Sequence, residues 1–193
     1  MALIFLIIGA GMTGHFEFEQ WVAFQLGHVF AFFSNPENLP RIMPSASGTR
    51  LIAVHRVPAT PDSKTPDSGK AAGAGSVIVT SVRAIPFLPL RARWIARITE
   101  FEWNHHFADV QEQGPFKSWQ HRHEFEAVVR EEVEGTLIRD LIDYEIGWGF
   151  LGMLADSLFV REQIESTFAE RQKKLPDLLS TLHFTGSTKT AVP

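Results

Sequence analysis

The sequence predicts an α+β fold: a curved antiparallel sheet of about seven strands wrapped around one long C-terminal helix, with two short helices after the first strand. Three observations carry this. Six extended runs follow one another between residues 48 and 146 with only short breaks, which makes an antiparallel meander. After Gly147, Gly149 and Gly152 the pattern changes: Met153–Leu175 carries Val160, Ile164 and Phe168 at four-residue spacing, with Arg161, Glu165, Glu170 and Lys174 on other faces, as in an amphipathic helix. Such a helix must bury its stripe on the only large apolar surface available, one face of the sheet, and a sheet curled around a single helix leaves space between them.

The chain opens with LIFLIIGAGMTG, where Gly9, Gly11 and Gly14 spell G-x-G-x-x-G behind an apolar run. A dinucleotide site needs these glycines to open a helix, with an acidic residue about 20 positions on. Instead, HFEFEQWVAF alternates Phe16 and Phe18 and then, after a slip, Trp21 and Val22, which is a strand. SNPENLP, around Asn35 and Glu37, reads as a turn and a helix start. The glycine fingerprint is therefore out of context. No Lys or Arg precedes Arg41, so the basic region of a signal peptide is missing. The apolar run is also shorter than the roughly 20 residues that span a bilayer. Met12 reads as the natural start, and residues 1–13 as an N-terminal arm.

Next, LGHVFAFFSNPENLPRIMP suggests two short helices broken at Asn35-Pro36, since proline disfavours helical geometry in the residue before it. The extended runs span Gly48–Val57, Ser76–Ala84, Arg91–Trp103, His105–Gln113, Lys117–Arg130 and Val133–Ile146. Residues 57–75, with ATPDSKTPDSGKAAGAG at their heart, hold almost no large apolar side chain and read as a mobile hairpin connection. Residues 183–193 form a tail by the same logic. No internal repeat is present, and residues 14–182 read as one domain.

Composition narrows the function classes. At 193 residues with 45% apolar content, the chain can bury a sizeable core, and disordered and membrane-inserted classes drop out. A formal charge of −4 from 18 basic and 22 acidic residues provides no footprint for nucleic acid. The absence of cysteine excludes disulfides, thiolate catalysis and cysteine metal sites, and agrees with a reducing cytoplasm. Sixteen Phe and five Trp against one Tyr supply large apolar walls, suited equally to a core or to a pocket.

The most informative stretch is GPFKSWQHRHEFEAVV. As a strand it points Trp119, His121, His123, Phe125, Ala127 and Val129 one way and Ser118, Gln120, Arg122, Glu124 and Glu126 the other. The inner row therefore holds two histidines among apolar side chains. Neighbouring runs repeat the habit: Trp94, Ala96, Ile98 and Glu100 share a face, as do Phe107, Asp109 and Gln111, and Thr136, Ile138, Asp140, Ile142 and Tyr144. If these are inner faces, Glu100, Asp109, Gln111, His121, His123 and Asp140 converge on the concave side. Buried charge is costly unless paired. These groups either close into a polar network that fixes strand register or orient the polar end of an apolar ligand. Histidines at i and i+2 can also chelate a metal, with Asp109, Glu100 or Asp140 as third ligand. No downstream histidine completes a recognisable set, and no metal or other cofactor is expected. His105-His106 is weaker still, because adjacent strand residues face opposite ways.

FAFFSNPENLPRIMP, GPFKSWQHRHEF, and TLIRDLIDYEIGWGFLG followed by a helix with FAER resemble the cyclase/dehydrase-like branch of the START/Bet v 1 (SRPBCC) superfamily. The resemblance covers about His15 to Leu179 and implies a helix-grip fold with a deep apolar cavity between sheet and long helix. The family tends to place proline where Gly147 stands here, and no catalytic set common to the branch maps onto this chain. The expectation is a hydrophobic small-molecule ligand, such as a lipid or polyketide, held by Trp94, Ile98, Phe107, Trp119, Phe125, Tyr144, Val160, Ile164 and Phe168, with the polar stripe orienting its head group. No nucleic acid and no stable membrane insertion are expected. The alternative is a polyketide cyclase/dehydratase-like enzyme in which His121 or His123 is the base and Asp109 or Asp140 orients it. A third reading, a groove for a protein partner, rests on the apolar IPFLPL at Ile85 to Leu90.

Overall fold

The computed structural model of the chain describes residues 12–60, 62, 65–83, 90–146 and 157–182. The N-terminal arm with Gly9 and Gly11, IPFLPL up to Pro89, the glycines at 147, 149 and 152 and the tail lie outside the described residues, as does part of the 57–75 connection. Strands β1 (Met12–Val22), β2 (Arg50–His55), β3 (Val77–Arg83), β4 (Arg91–Glu102), β5 (His106–Gln113), β6 (Ser118–Arg130) and β7 (Val133–Ile146) form one antiparallel sheet in the order β1-β7-β6-β5-β4-β3-β2. The expected six-run meander is therefore β2 to β7, and β1 returns to lie beside β7. Helices α1 (Leu26–Ser34) and α2 (Leu39–Ile42) lie on the connection between the two edge strands, and α3 spans Ser157–Ser180.

The expected slip in β1 is absent. β1 pairs with β7 without interruption from Met12 opposite Ile146 to Val22 opposite Thr136. Phe16, Phe18, Gln20 and Val22 thus share the inner face, and Trp21 falls on the outer one, where its indole N–H donates to Val128 O at 3.1 Å. Gly14 has a packing role: it sits opposite Tyr144, whose ring occupies the space a side chain at 14 would need.

Gln20 tolerates its inward position because a helix carbonyl awaits it. α3 does not stop before Pro176 as expected but runs on to Ser180 with the proline inside it. Proline has no N–H, so the carbonyl four residues earlier, Gln172 O, loses its helical partner. Gln20 Nε2 donates to that oxygen at 2.7 Å. In return Gln172 Nε2 donates to Glu19 O at 3.2 Å, tying α3 to edge strand β1. An interior proline costs about 3 kcal/mol. Burying Leu179 beyond the break, at about 1.5–3 kcal/mol, together with the hydrogen bond from Gln20, offsets it.

α1 buries Val29, Phe30 and Phe32 and ends where Asn35 precedes Pro36. There Asn35 Oδ1 accepts the Glu37 N–H at 3.1 Å and starts a single tight turn that leads into α2. The core divides in two. One apolar cluster gathers α1, Phe107, Phe125, Ile138, Leu175 and Leu179, with Phe30 set among the rings of Phe101, Trp103, Phe107 and Phe125 at 5.1–6.1 Å. The other gathers Phe16, Trp119, Ile142, Tyr144, Val160, Ile164 and Phe168. Phe18 stacks on Phe168 at 4.4 Å and helps join β1 to α3.

Candidate functional site

Between the two apolar clusters lies a polar band. Along β6 the inner row runs Trp119, His121, His123, Phe125, and along β7 it runs Ile138, Asp140, Ile142, so polar side chains take the middle positions. Register aligns them: Asp109 stands opposite His121, and His123 opposite Asp140. His121 Nε2 lies 2.9 Å from Asp140 Oδ1, in hydrogen-bond geometry. His123 Nδ1 lies 2.6 Å from the same oxygen but off the line of a hydrogen bond. The two imidazoles are 3.9 Å apart, centre to centre.

Arg171 completes the band from α3. The inward stripe of that helix runs Val160, Ile164, Phe168, Arg171, Leu175, Leu179, and Arg171, only 8% exposed, is its one charged member. Its guanidinium stacks over the Phe168 ring at 4.4 Å. The spacing carried the signal, three residues after Phe168 and four before Leu175, but the residue type directed attention to the solvated faces. Gln20, seated on the inner row of β1, was missed because of the expected slip.

The charges follow from burial and proximity. Burial alone would raise the Asp140 carboxyl, but His123, His121 and Arg171 overturn that and hold it well below the usual range. Burial pulls both imidazoles down, and Asp140 resists without prevailing. At neutral pH His121 is therefore neutral and donates its Nε2–H to an ionised Asp140, which leaves Nδ1 as an acceptor. Burial pushes the Asp109 carboxyl up against the pull of His121 and Arg171. Burial lowers Arg171, and Asp140 and Asp109 work against it.

The band faces a cavity of about 350 Å³ between sheet and α3. Its walls come from Phe32, Phe33, Leu39, Ile42 and Met43 on the helical connection, Ile78, Thr80 and Val82 on β3, and Trp94 and Ile98 on β4. Phe107, Trp119, Val160, Ile164 and Phe168 extend them, and the small Ala92 and Ala96 leave room on the β4 side. Asp109, His121, His123 and Arg171 line it too, while Asp140 stands behind the histidines.

Several expected positions differ. Glu100 is not on the inner face: a bulge between Ile98 and Glu100 shifts the β4–β5 register and turns it outward, half exposed, onto Arg122. Phe101 thereby turns inward onto the first cluster. Gln111 shares a face with the band, but its amide is spent on the β5–β6 turn, donating to Phe116 O at 2.8 Å. Phe125 and Tyr144 do not line the cavity. Phe125 packs between Phe30 and Phe33, and Tyr144 stacks on Phe16.

Donor atoms of Asp109, His121 and His123 lie within 4.8 Å of one another, as do those of Glu102, His105 and His106 on the exposed β4–β5 turn. In the first set the guanidinium of Arg171 acts on the same groups and opposes a cation. Among the described residues no helix is long and apolar enough to cross a membrane.

Comparisons with known proteins agree with this architecture. Residues 22–173 match the family described as polyketide cyclase / dehydrase and lipid transport. Among curated proteins no match is found. The crystal structure of Ara h 8.0201 superposes with a TM-score of 0.59 at 10% identity, covering 89% of this chain and 100% of that one. A START superfamily protein from Mycobacterium smegmatis gives 0.57 at 13% identity, covering 88% and 99%. Norcoclaurine synthase from Thalictrum flavum gives 0.55 at 13%, covering 94% and 99%. At such identities these likenesses show the fold alone: a curved seven-stranded sheet closed by a C-terminal helix, the helix-grip fold of the Bet v 1 and START proteins. With most of its length inside the family match, the chain belongs to the polyketide cyclase / dehydrase and lipid transport family.

Proposed function

We propose that the protein binds a hydrophobic small molecule with one polar end, its apolar body between sheet and α3 and its head group against the polar band. The observation that carries this is the cavity of about 350 Å³, at the small end of the range typical of ligand pockets, with apolar walls and one patch of convergent polar groups. Trp94, Ile98, Phe107, Trp119, Val160, Ile164 and Phe168 are the wall, and Asp109, His121, His123 and Arg171 the polar end, with Asp140 as the support of both histidines.

Displacement of a fluorescent fatty-acid probe, together with native mass spectrometry of the purified protein, tests this. Ala96→Trp puts bulk into the cavity from β4 and should weaken probe binding more than tenfold while the thermal midpoint stays near that of the parent. A probe that binds Ala96→Trp and the parent equally would place binding elsewhere and end the proposal.

Acid–base chemistry is a second reading. It is favoured by His121, an imidazole oriented by a carboxylate and facing a cavity. It predicts a loss of about a hundredfold or more in turnover of a polyketide-like substrate for His121→Gln at unchanged probe affinity. A loss of affinity with no turnover by the parent would dismiss it.

A further inference from the structure

We infer that the ligand carries a carboxylate and that Arg171 is the residue that selects it. This rests on the cavity reading above and goes beyond it by naming the head group and its receptor.

The argument starts from the cost of the side chain. A guanidinium taken out of water loses several kcal/mol of hydration, and a protein keeps one inside only where something replaces that hydration. Arg171 is the one charged side chain in a buried helix stripe that is otherwise apolar. An apolar residue there would join the two core clusters, so nothing in the packing calls for arginine. The two carboxylates that influence it are not its ion-pair partners. Asp140 has one oxygen committed to His121 and closely approached by His123, and Asp109 acts on Arg171 without closing a pair among the described residues. What the guanidinium does touch is the Phe168 ring, its central carbon lying 4.4 Å from the ring centroid. That contact anchors it at the cavity wall, and the partner that takes two parallel N–H bonds from the guanidinium fork is a carboxylate.

The rest of the band supports an acid rather than a phosphate. Asp140 is internally satisfied by His121. Asp109, half-buried opposite His121, lines the cavity beside that head group, and burial pushes its carboxyl up, which eases its place next to a second carboxylate. A doubly charged phosphate would bring twice the charge of a carboxylate toward the ionised Asp140 with only one fixed cation, Arg171, to meet it.

The test compares a long-chain fatty acid with its methyl ester and its primary alcohol, by displacement of a neutral fluorescent probe. The parent should bind the acid at least tenfold more tightly than the ester or alcohol. Arg171→Met should bring the three affinities within about threefold of one another by weakening the acid alone. Arg171→Lys keeps the charge without the fork and should retain part of the preference, which separates loss of recognition from loss of fold if the methionine variant is unstable. A parent that binds acid, ester and alcohol equally, or an Arg171→Met protein that folds and keeps the preference, overturns the inference while leaving the cavity reading intact. Failure of all three ligands and the probe to bind overturns both.

Discussion

If Gln20 stands in for the N–H that Pro176 lacks, the two residues are energetically coupled although one lies on β1 and the other on α3. Gln20→Ala should leave Gln172 O without a donor in a half-buried place, at about 1–3 kcal/mol. For a chain of this size that lowers the thermal midpoint by roughly 2–4 °C per kcal/mol. In a Pro176→Ala background, the new N–H of residue 176 takes up Gln172 O inside the helix. Gln20 is then redundant, and its removal should cost below about 1 kcal/mol. A double-mutant cycle by urea denaturation isolates the difference, about 1–2 kcal/mol of coupling, from the packing lost with the glutamine side chain. Equal costs for Gln20→Ala in the two backgrounds would refute the reasoning. Helix α3 would then owe its passage through Pro176 to leucine burial alone.

Two further outcomes follow from local geometry. The β6–β7 hairpin turns through Glu131 and Glu132 at φ 51° and 64°, a conformation suited to Asn-Gly. Glu131→Asn with Glu132→Gly should raise stability by about 1–2 kcal/mol in urea denaturation, and no gain would mean the turn is unstrained. The buried histidines set an acid slope: with folded pKa values below the usual 6.5, the unfolded chain takes up protons first, so stability present above that pH falls as pH drops through the window beneath it. His121→Asn with His123→Asn should flatten the midpoint-against-pH curve just below the usual histidine pKa of about 6.5, where His28, also lowered by burial, keeps part of the slope. Asp140, held low, adds its own loss only at more acid pH, and Asp109, held high, acts in the opposite direction. An unchanged slope in the double variant would show that the imidazoles do not titrate with folding.

The sheet was legible because its inner rows alternate strictly. Thr136, Ile138, Asp140, Ile142 and Tyr144 were expected on one face of β7, and all five are buried. His121 and His123 were expected inside, and both are. What escaped was whatever a partner strand decides. Alternation alone put Glu100 inside, but the bulge that turns it out exists only in the pairing of β4 with β5. The straight register of β1 was hidden because Gln20 looked out of place without the carbonyl it serves. The Glu131-Glu132 turn carries none of the residues that announce a hairpin, so only the meander around it implied a break there.

The readings of the band as register lock and as the receptor proposed above are not competitors, because its members divide between them. A one-residue slip of β6 would turn His121 and His123 out and bury the Arg122–Glu124 pair among the aromatic rings, at the desolvation cost of two charges. The His121–Asp140 bond is satisfied within the protein and penalises such a slip, so it acts with or without a ligand. Asp109 and Arg171 differ: they line the cavity, come from β5 and α3, and no ion pair joins them among the described residues. A register lock needs neither of them. On the proposed reading, their cost is recovered when something polar stands between them, which puts the head group of the proposed ligand at that end of the cavity.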